Sequence, residues 1–307
     1  MKLAVEYPSV AYREGPEAVA RLARAIEDIG YDQLDMFDHV VMGFPLEGRA
    51  PGPYPAGMPI IEAFMTLAFA AAVTRRIGLG TEVLVLPQRQ PVLVAKQVAT
   101  LDTLSGGRVR LGIGVGWQES EYEALGEKFS DRGQRMDEAI ELLRACWSAP
   151  SIDYAGTHYQ VRAMGMEPKP PQGGALPIWI GGASEAAYRR VGKYGDGWLG
   201  SRITDAASAK RAIEAIHGHA RAAGRDPAKI GLQSMVAPPP RSDDSAGKRF
   251  YAEPDQVVQR VLELRDMGFE WVTLNATALF QSGARSVDAM IDALRVLHDR
   301  IRKAAGS

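Results

Sequence analysis

Short apolar, β-branched runs alternate with longer stretches of helical periodicity along the whole chain. The strand-like runs fall at residues 3–7, 33–37, 77–86, 109–113, 178–181, 197–200, 230–236 and 271–274. The helix-like stretches fall at 15–30, 60–75, 91–104, 134–148, 184–194, 206–224, 254–267 and 286–305. Strands that alternate with helices imply right-handed crossovers and a parallel sheet. Eight such pairs are what a closed (β/α)8 barrel, the TIM barrel, requires. An open doubly wound sheet would place a glycine cluster after its first strand. Here that strand runs into Pro8-Ser-Val-Ala-Tyr-Arg-Glu14. The pattern therefore predicts an α/β fold, one barrel domain over residues 1–307.

Three segments exceed ordinary connections. Residues 40–59, after strand two, are dense in Gly and Pro, and residues 237–249, after strand seven, open on Pro238-Pro-Pro240. Both follow strands, so both are expected at the mouth, where long segments are usually functional. The third, residues 149–176, separates helix four from strand five. Its core, 152–160, reads as a hairpin turning at Ala155-Gly156 and leaving from the N-terminal face.

Composition narrows the class without naming a reaction. With 36 basic and 37 acidic side chains, the net charge is −1, and no basic block suggests nucleic acid as a partner. The N-terminal run Met1-Lys-Leu-Ala-Val-Glu-Tyr7 reads as a strand, not a leader, and the most apolar stretch, 63–73, is too short to span a bilayer. A single cysteine, Cys146, excludes an internal disulfide and fits a cytoplasmic protein. Cys146 lies in an apolar helical run and reads as a structural thiol. The histidines (His39, His158, His217, His219 and His298) form no metal-binding spacing, since His217 and His219 point to different faces of a helix.

Barrel enzymes work at the C-terminal ends of their strands, so polar residues there are the candidates. Strand two ends in Asp38-His39, and an imidazole can donate, accept or carry a proton near neutral pH. Glu82 stands in an otherwise apolar strand three, where a carboxylate must find a partner or become neutral. Strand four carries Gly112-Ile-Gly-Val-Gly116-Trp117, and if those glycines face the lumen they leave room for a flat ring. Strand five runs into Gly181-Gly182-Ala183-Ser184 and a helix, an anion site with Ser184 as N-cap. Ser201, ending strand six, can reach the same anion. Asp102 and Arg108 precede strand four on the stability face and read as a structural ion pair.

The run Pro87-Gln-Arg-Gln-Pro-Val-Leu-Val-Ala-Lys-Gln-Val-Ala-Thr-Leu-Asp102, with Leu104-Ser105-x-Gly107-Arg108 and Gly112-x-Gly114-x-Gly116-Trp117 after it, resembles the bacterial-luciferase-like superfamily. The match is close to its coenzyme F420-dependent branch, and Asp38-His39, Arg135, Pro177-x-x-x-Gly181-Gly182 and Gly195-Asp-Gly-Trp198 keep the same order. The resemblance implies a deazaflavin (F420) or FMN ring at the mouth, F420 preferred. It implies His39 and Glu82 as catalytic residues, with Glu82 orienting His39 or touching the ring edge. Asp38, His39, Glu82, Val83, Gly181, Gly182, Ala183 and Ser201 would hold the cofactor, with a non-proline cis peptide at Glu82–Val83. Phe44 and Trp117 would line the substrate pocket. Trp117 stands where relatives that oxidise glucose 6-phosphate keep a glutamate, and their basic sugar-phosphate residues have no counterpart here. The implied activity is hydride transfer between a small organic substrate and the ring. The alternatives are an FMN-dependent monooxygenase served by a separate reductase, and a flavin-binding barrel without turnover. A homodimer is the expected assembly.

Overall fold

The structure, a computed structural model, describes residues 1–49, 52–201, 203–238 and 249–306. Its sheet closes on itself as a parallel barrel of eight strands. These are β1 (Lys2–Glu6), β2 (Gln33–Met36), β3 (Gly78–Thr81) continued by β4 (Leu84–Val85), β5 (Val109–Gly114), β8 (Ile178–Gly181), β9 (Gly197–Gly200), β10 (Gly231–Met235) and β11 (Trp271–Asn275). β1 pairs with β2 and β11, and β3 with both β2 and β5, so no edge remains.

The helices that follow the strands are α1 (Pro16–Ile29), α2 (Ala63–Val73), α3 (Pro91–Ser105), α5 (Arg132–Ser148), α6 (Glu185–Tyr194), α7 (Ala206–Ala222), α8 (Pro254–Asp266) and α10 (Val287–Ala305). Several helix boundaries have a local cause. Gly30 and Gly106 adopt left-handed backbone conformations at C-caps, and Ser184, Asp205 and Ser286 cap N-termini with their side chains. Two short helices break the expected pattern: α4 (Glu119–Ala124) and α9 (Ala276–Gln281). At six residues each, they are too short for periodicity to reveal.

Strand side chains alternate between two environments. Leu3, Val5, Leu34, Leu79, Leu111 and Ile113 are buried under the helices. The opposite face fills the lumen, and its contents are polar and aromatic. A Cβ on Gly197 would lie 2.2 Å from the Trp179 ring and one on Gly231 2.5 Å from it, so these glycines make room for an indole inside the barrel.

The segment between α5 and β8 holds the antiparallel hairpin β6 (Ile152–Ala155) and β7 (Gln160–Met164). Its turn spans 156–159, longer than the two-residue turn expected. It returns past the N-terminal end of the barrel, where the Gln172 side-chain amide donates to Asp102 and to the Val109 carbonyl at 2.8 Å each. The expected Asp102–Arg108 ion pair does not form. Asp102 accepts from Val109 and Gln172, while Arg108 donates to carbonyls of Ala71, Thr74, Ile77 and Ser105. Both still serve the stability face, by bonding backbone rather than each other. Cys146 is buried, as expected of a structural thiol. Most of the segment after strand seven, 239–248, lies outside the described residues. Among the described residues no helix is long and apolar enough to cross a membrane.

Candidate active site

β2 leads into Asp38 and His39, and α4 receives His39. His39 Nδ1 lies 3.0 Å from Glu121 Oε2, while Glu121 Oε1 accepts from the backbone N–H groups of Val40 at 2.6 Å and Val41 at 3.3 Å. Gln118 ties down the next residues, donating to the Val41 carbonyl and accepting from Gly43 N–H. Burial alone would raise the Glu121 carboxyl, but the bonds from His39, Val40 and Gln88 outweigh it and hold its pKa low. An ionised carboxylate only accepts, so the His39 proton sits on Nδ1. Nε2 has no protein partner among the described residues. Trp117 and Tyr54 stand edge-on to the imidazole at 5.4 and 5.8 Å between centroids.

Asp38 turns away from the mouth. One oxygen meets Arg89 at 2.8 Å, the other accepts from Val85 N–H at 3.1 Å, and the side chain is 2% exposed. As it stands it reaches a bound molecule only through its neighbours. Its work is to pin β4 against the end of β2.

Between β3 and β4 the Glu82–Val83 peptide is cis, at the position the resemblance implied. The glycines of β5 do not clear space for a ring there, contrary to the sequence reading. A Cβ on Gly112 would meet the Thr81 carbonyl at 1.8 Å, one on Gly114 the Val83 side chain at 2.6 Å, and one on Gly116 that of Val85 at 2.6 Å. Gly181 of β8 faces Val83 at 2.7 Å in the same way. The space is taken by the bulged strand itself, which seats Val83 between Gly114 and Gly181.

Glu82 does not orient His39. Its Oε2 accepts from Thr273 at 2.8 Å and from the Gln233 amide at 3.1 Å, inside the lumen. Two more carboxyls lie there, Asp35 and Glu6. Asp35 pairs with Arg110 at 2.7 Å, and that guanidinium stacks between Trp179 and Trp271 at 4.4 and 4.9 Å. Burial, then the Asp35 and Glu6 carboxyls, hold Glu82 far above the usual carboxylate range. Burial, then Asp35, push Glu6 up to about 8. Burial thus pushes both Glu6 and Glu82 toward the protonated form, beside the buried Arg110–Asp35 pair. Glu6 Oε1 accepts from the Asn275 amide at 3.2 Å. Two buried lumen atoms, Arg110 Nη1 and Gln233 Oε1, lack a protein partner among the described residues, as beside an internal water or ligand.

Across the mouth, Gly181-Gly182-Ala183-Ser184 lead into α6. Gly182 takes φ +125°, which only glycine adopts without strain, and Trp198 Nε1 donates to its carbonyl at 2.8 Å. Ser184 caps α6 through Ala187 N–H. The N–H groups of Gly182, Ala183, Ser184 and Glu185 have no acceptor among the described residues. Such a row at a helix start, exposed from Ala183 onward and with the Glu185 carboxylate engaged by His219, fits a phosphate. Ser201, just past β9, is exposed nearby in the barrel order. Phe44 is 70% exposed and Trp117 43%.

Glu121 and Glu6 escaped the sequence reading. Glu121 lies between the strand-like run at 109–113 and the helix-like stretch at 134–148, in a helix of six residues that periodicity does not mark. Glu6 ended an apolar run, where its parity with Ala4 was the one available signal that it faces the lumen.

Comparison with known proteins agrees with this architecture. A sequence profile described as luciferase-like monooxygenase matches residues 4–250. An uncharacterised Mycobacterium tuberculosis protein, Rv0940c, is 37% identical over 186 residues, covering 58% of this chain and 63% of that protein. The F420-dependent glucose-6-phosphate dehydrogenase of Nocardia farcinica is 32% identical over 205 residues, covering 64% of this chain and 56% of the enzyme. The chain thus matches less than two thirds of the length of these relatives. Among solved structures, the monooxygenase RslO1 from Streptomyces bottropensis superposes with a TM-score of 0.77 at 20% identity, covering 99% of this chain and 100% of that one. The coenzyme F420 dependent tetrahydromethanopterin reductase from Methanopyrus kandleri gives 0.76 at 17%, covering 99% of each chain. Likeness at such identity speaks for the shared barrel, and the profile match over most of the chain for more: the protein belongs to the luciferase-like monooxygenase family.

Proposed function

We propose that this chain is an oxidoreductase that transfers a hydride between a small organic substrate and coenzyme F420 at the mouth of the barrel. The observation that carries the reading is the His39–Glu121 pair at 3.0 Å, which fixes the imidazole tautomer and leaves Nε2 without a protein partner among the described residues. A base so held takes a hydroxyl proton as the hydride departs, or returns it to a carbonyl oxygen in the reverse direction. Glu121 keeps the ring oriented and offsets the charge that the imidazolium gains. The turn at Gly182 and the start of α6 would hold the cofactor phosphate, with Ser201 beside it, and Val83 would back the ring. The segment after β2, closing against Trp117, would exclude water. The deazaflavin ring supplies two-electron hydride chemistry when bound. The preference for F420 rests on the 32% identity to an F420-dependent dehydrogenase.

The family profile and the Streptomyces neighbour support a second reading, an FMN-dependent monooxygenase that uses oxygen and a partner reductase. Titrating the purified protein with each cofactor by absorbance separates them. Tight binding of FMN with oxygen consumption, and no binding of F420, would sink the first reading. The variant His39→Ala should keep cofactor affinity and lose turnover at least a hundredfold, at the lower end of what a positioned acid–base contributes. A protein that binds either cofactor and turns over nothing is a flavin-binding barrel without catalysis.

A further inference from the structure

The wall beside His39 is unusually apolar for an exposed surface. Trp117 and Tyr54 stand 6.3 Å apart, each in edge contact with the imidazole. Both are about two-fifths exposed, at 43% and 40%. Val40, Val41, Phe44 and Leu46, on the same segment as Tyr54, are exposed as well. Large apolar side chains gathered on one segment mark a surface that something covers. The segment lies against the indole, since a Cβ on Gly52 would come within 3.0 Å of the Trp117 ring. Charge narrows the choice. A recess of about 300 Å³ beside Trp117 is lined by Arg49, Glu119 and Glu123 among others. Arg49 lies 3.5 Å from Glu123, and the two carboxylates of Glu119 and Glu123 outnumber its single charge. An anion gains nothing there.

We propose that the substrate is a neutral, mostly apolar molecule whose one hydroxyl or carbonyl meets His39 while its hydrocarbon body packs on Trp117 and Tyr54. The inference rests on the hydride-transfer reading for the polar end only. The apolar body follows from the wall itself.

The test separates binding from turnover. The protein saturated with cofactor is titrated with ethanol, 1-butanol, 1-hexanol, benzyl alcohol and glucose 6-phosphate, by calorimetry and ligand-detected NMR. Affinity should rise about fourfold per added CH2 at best. Glucose 6-phosphate should bind more weakly than benzyl alcohol. Trp117→Ala should weaken benzyl alcohol binding tenfold or more, Trp117→Phe should restore most of it, and neither should alter cofactor affinity. A flat alcohol series, or preferred binding of glucose 6-phosphate, overturns the proposal. A clear gradient without turnover on either cofactor overturns hydride transfer and leaves the apolar site standing. Self-association that Phe44→Ser abolishes, together with a flat series, assigns the wall to a second copy of the chain and likewise overturns the proposal.

Discussion

His39 and Glu121 act as one unit, and Glu6 shows what burial does to a carboxyl. Glu121→Gln keeps the size and the oxygen that can face Val40 N–H but removes the charge that fixes Nδ1–H. Turnover should fall tenfold or more with cofactor affinity unchanged, and the pH profile of kcat/KM should shift, because the imidazolium loses its counter-charge. Steady-state kinetics across pH checks this, and an unmoved profile would remove Glu121 from the mechanism. Glu6 gives a stability prediction. Its folded-state pKa of about 8 lies above the ordinary 4.5. Below pH 4.5 both folded and unfolded chains hold the proton. Between 4.5 and 8 the unfolded chain releases it and the folded one keeps it, so the folded state loses stability as pH rises, and the loss levels off above 8. Glu6→Gln removes that dependence. Relative to the parent it should gain stability through the window, at about 1.4 kcal/mol per unit at most. Urea unfolding at pH 5, 6, 7 and 8 measures it, and parallel curves for the two proteins would mean that Glu6 is ionised when folded.

At the scale of elements, the glycines of β5 and β8 decide where β3 and β4 can run. Gly114→Ala would drive a methyl to within 2.6 Å of Val83 and should cost about 1–3 kcal/mol by overpacking. Gly218, inside α7, has nothing within 4 Å of an added Cβ, so Gly218→Ala should instead stabilise by about 0.5–1 kcal/mol. The pair, compared by denaturant midpoint, tests whether β5 is glycine-rich for the neighbouring strand's sake. Equal effects would refute it. The same contrast explains a misreading. Alternate glycines signal that something comes close, and the approach turned out to be Thr81, Val83 and Val85 rather than a ligand.

Across the whole molecule, the lumen braces the barrel. Asp35 of β2 and Arg110 of β5 are joined at 2.7 Å, and Arg110 stacks on Trp179 of β8 and Trp271 of β11. Asp35→Asn leaves a buried guanidinium without its counter-charge and should cost about 3–5 kcal/mol. Because one pair spans distant strands, thermal unfolding should move as a whole, and loss confined to a local segment would contradict the brace. The sequence by itself determined the eight strand–helix units, their order and hence the end of the barrel where Asp38, His39 and the Gly181-Gly182 turn emerge, because hydrophobic period and capping chemistry are local. Only the tertiary structure decided that His39 is held by Glu121, 82 residues away, that Asp38 faces Arg89, and that Glu82 joins Glu6 and Asp35 in the lumen. Those pairings depend on strand register and on how each loop folds back, and a register change of one residue would reverse every side chain between lumen and helix layer.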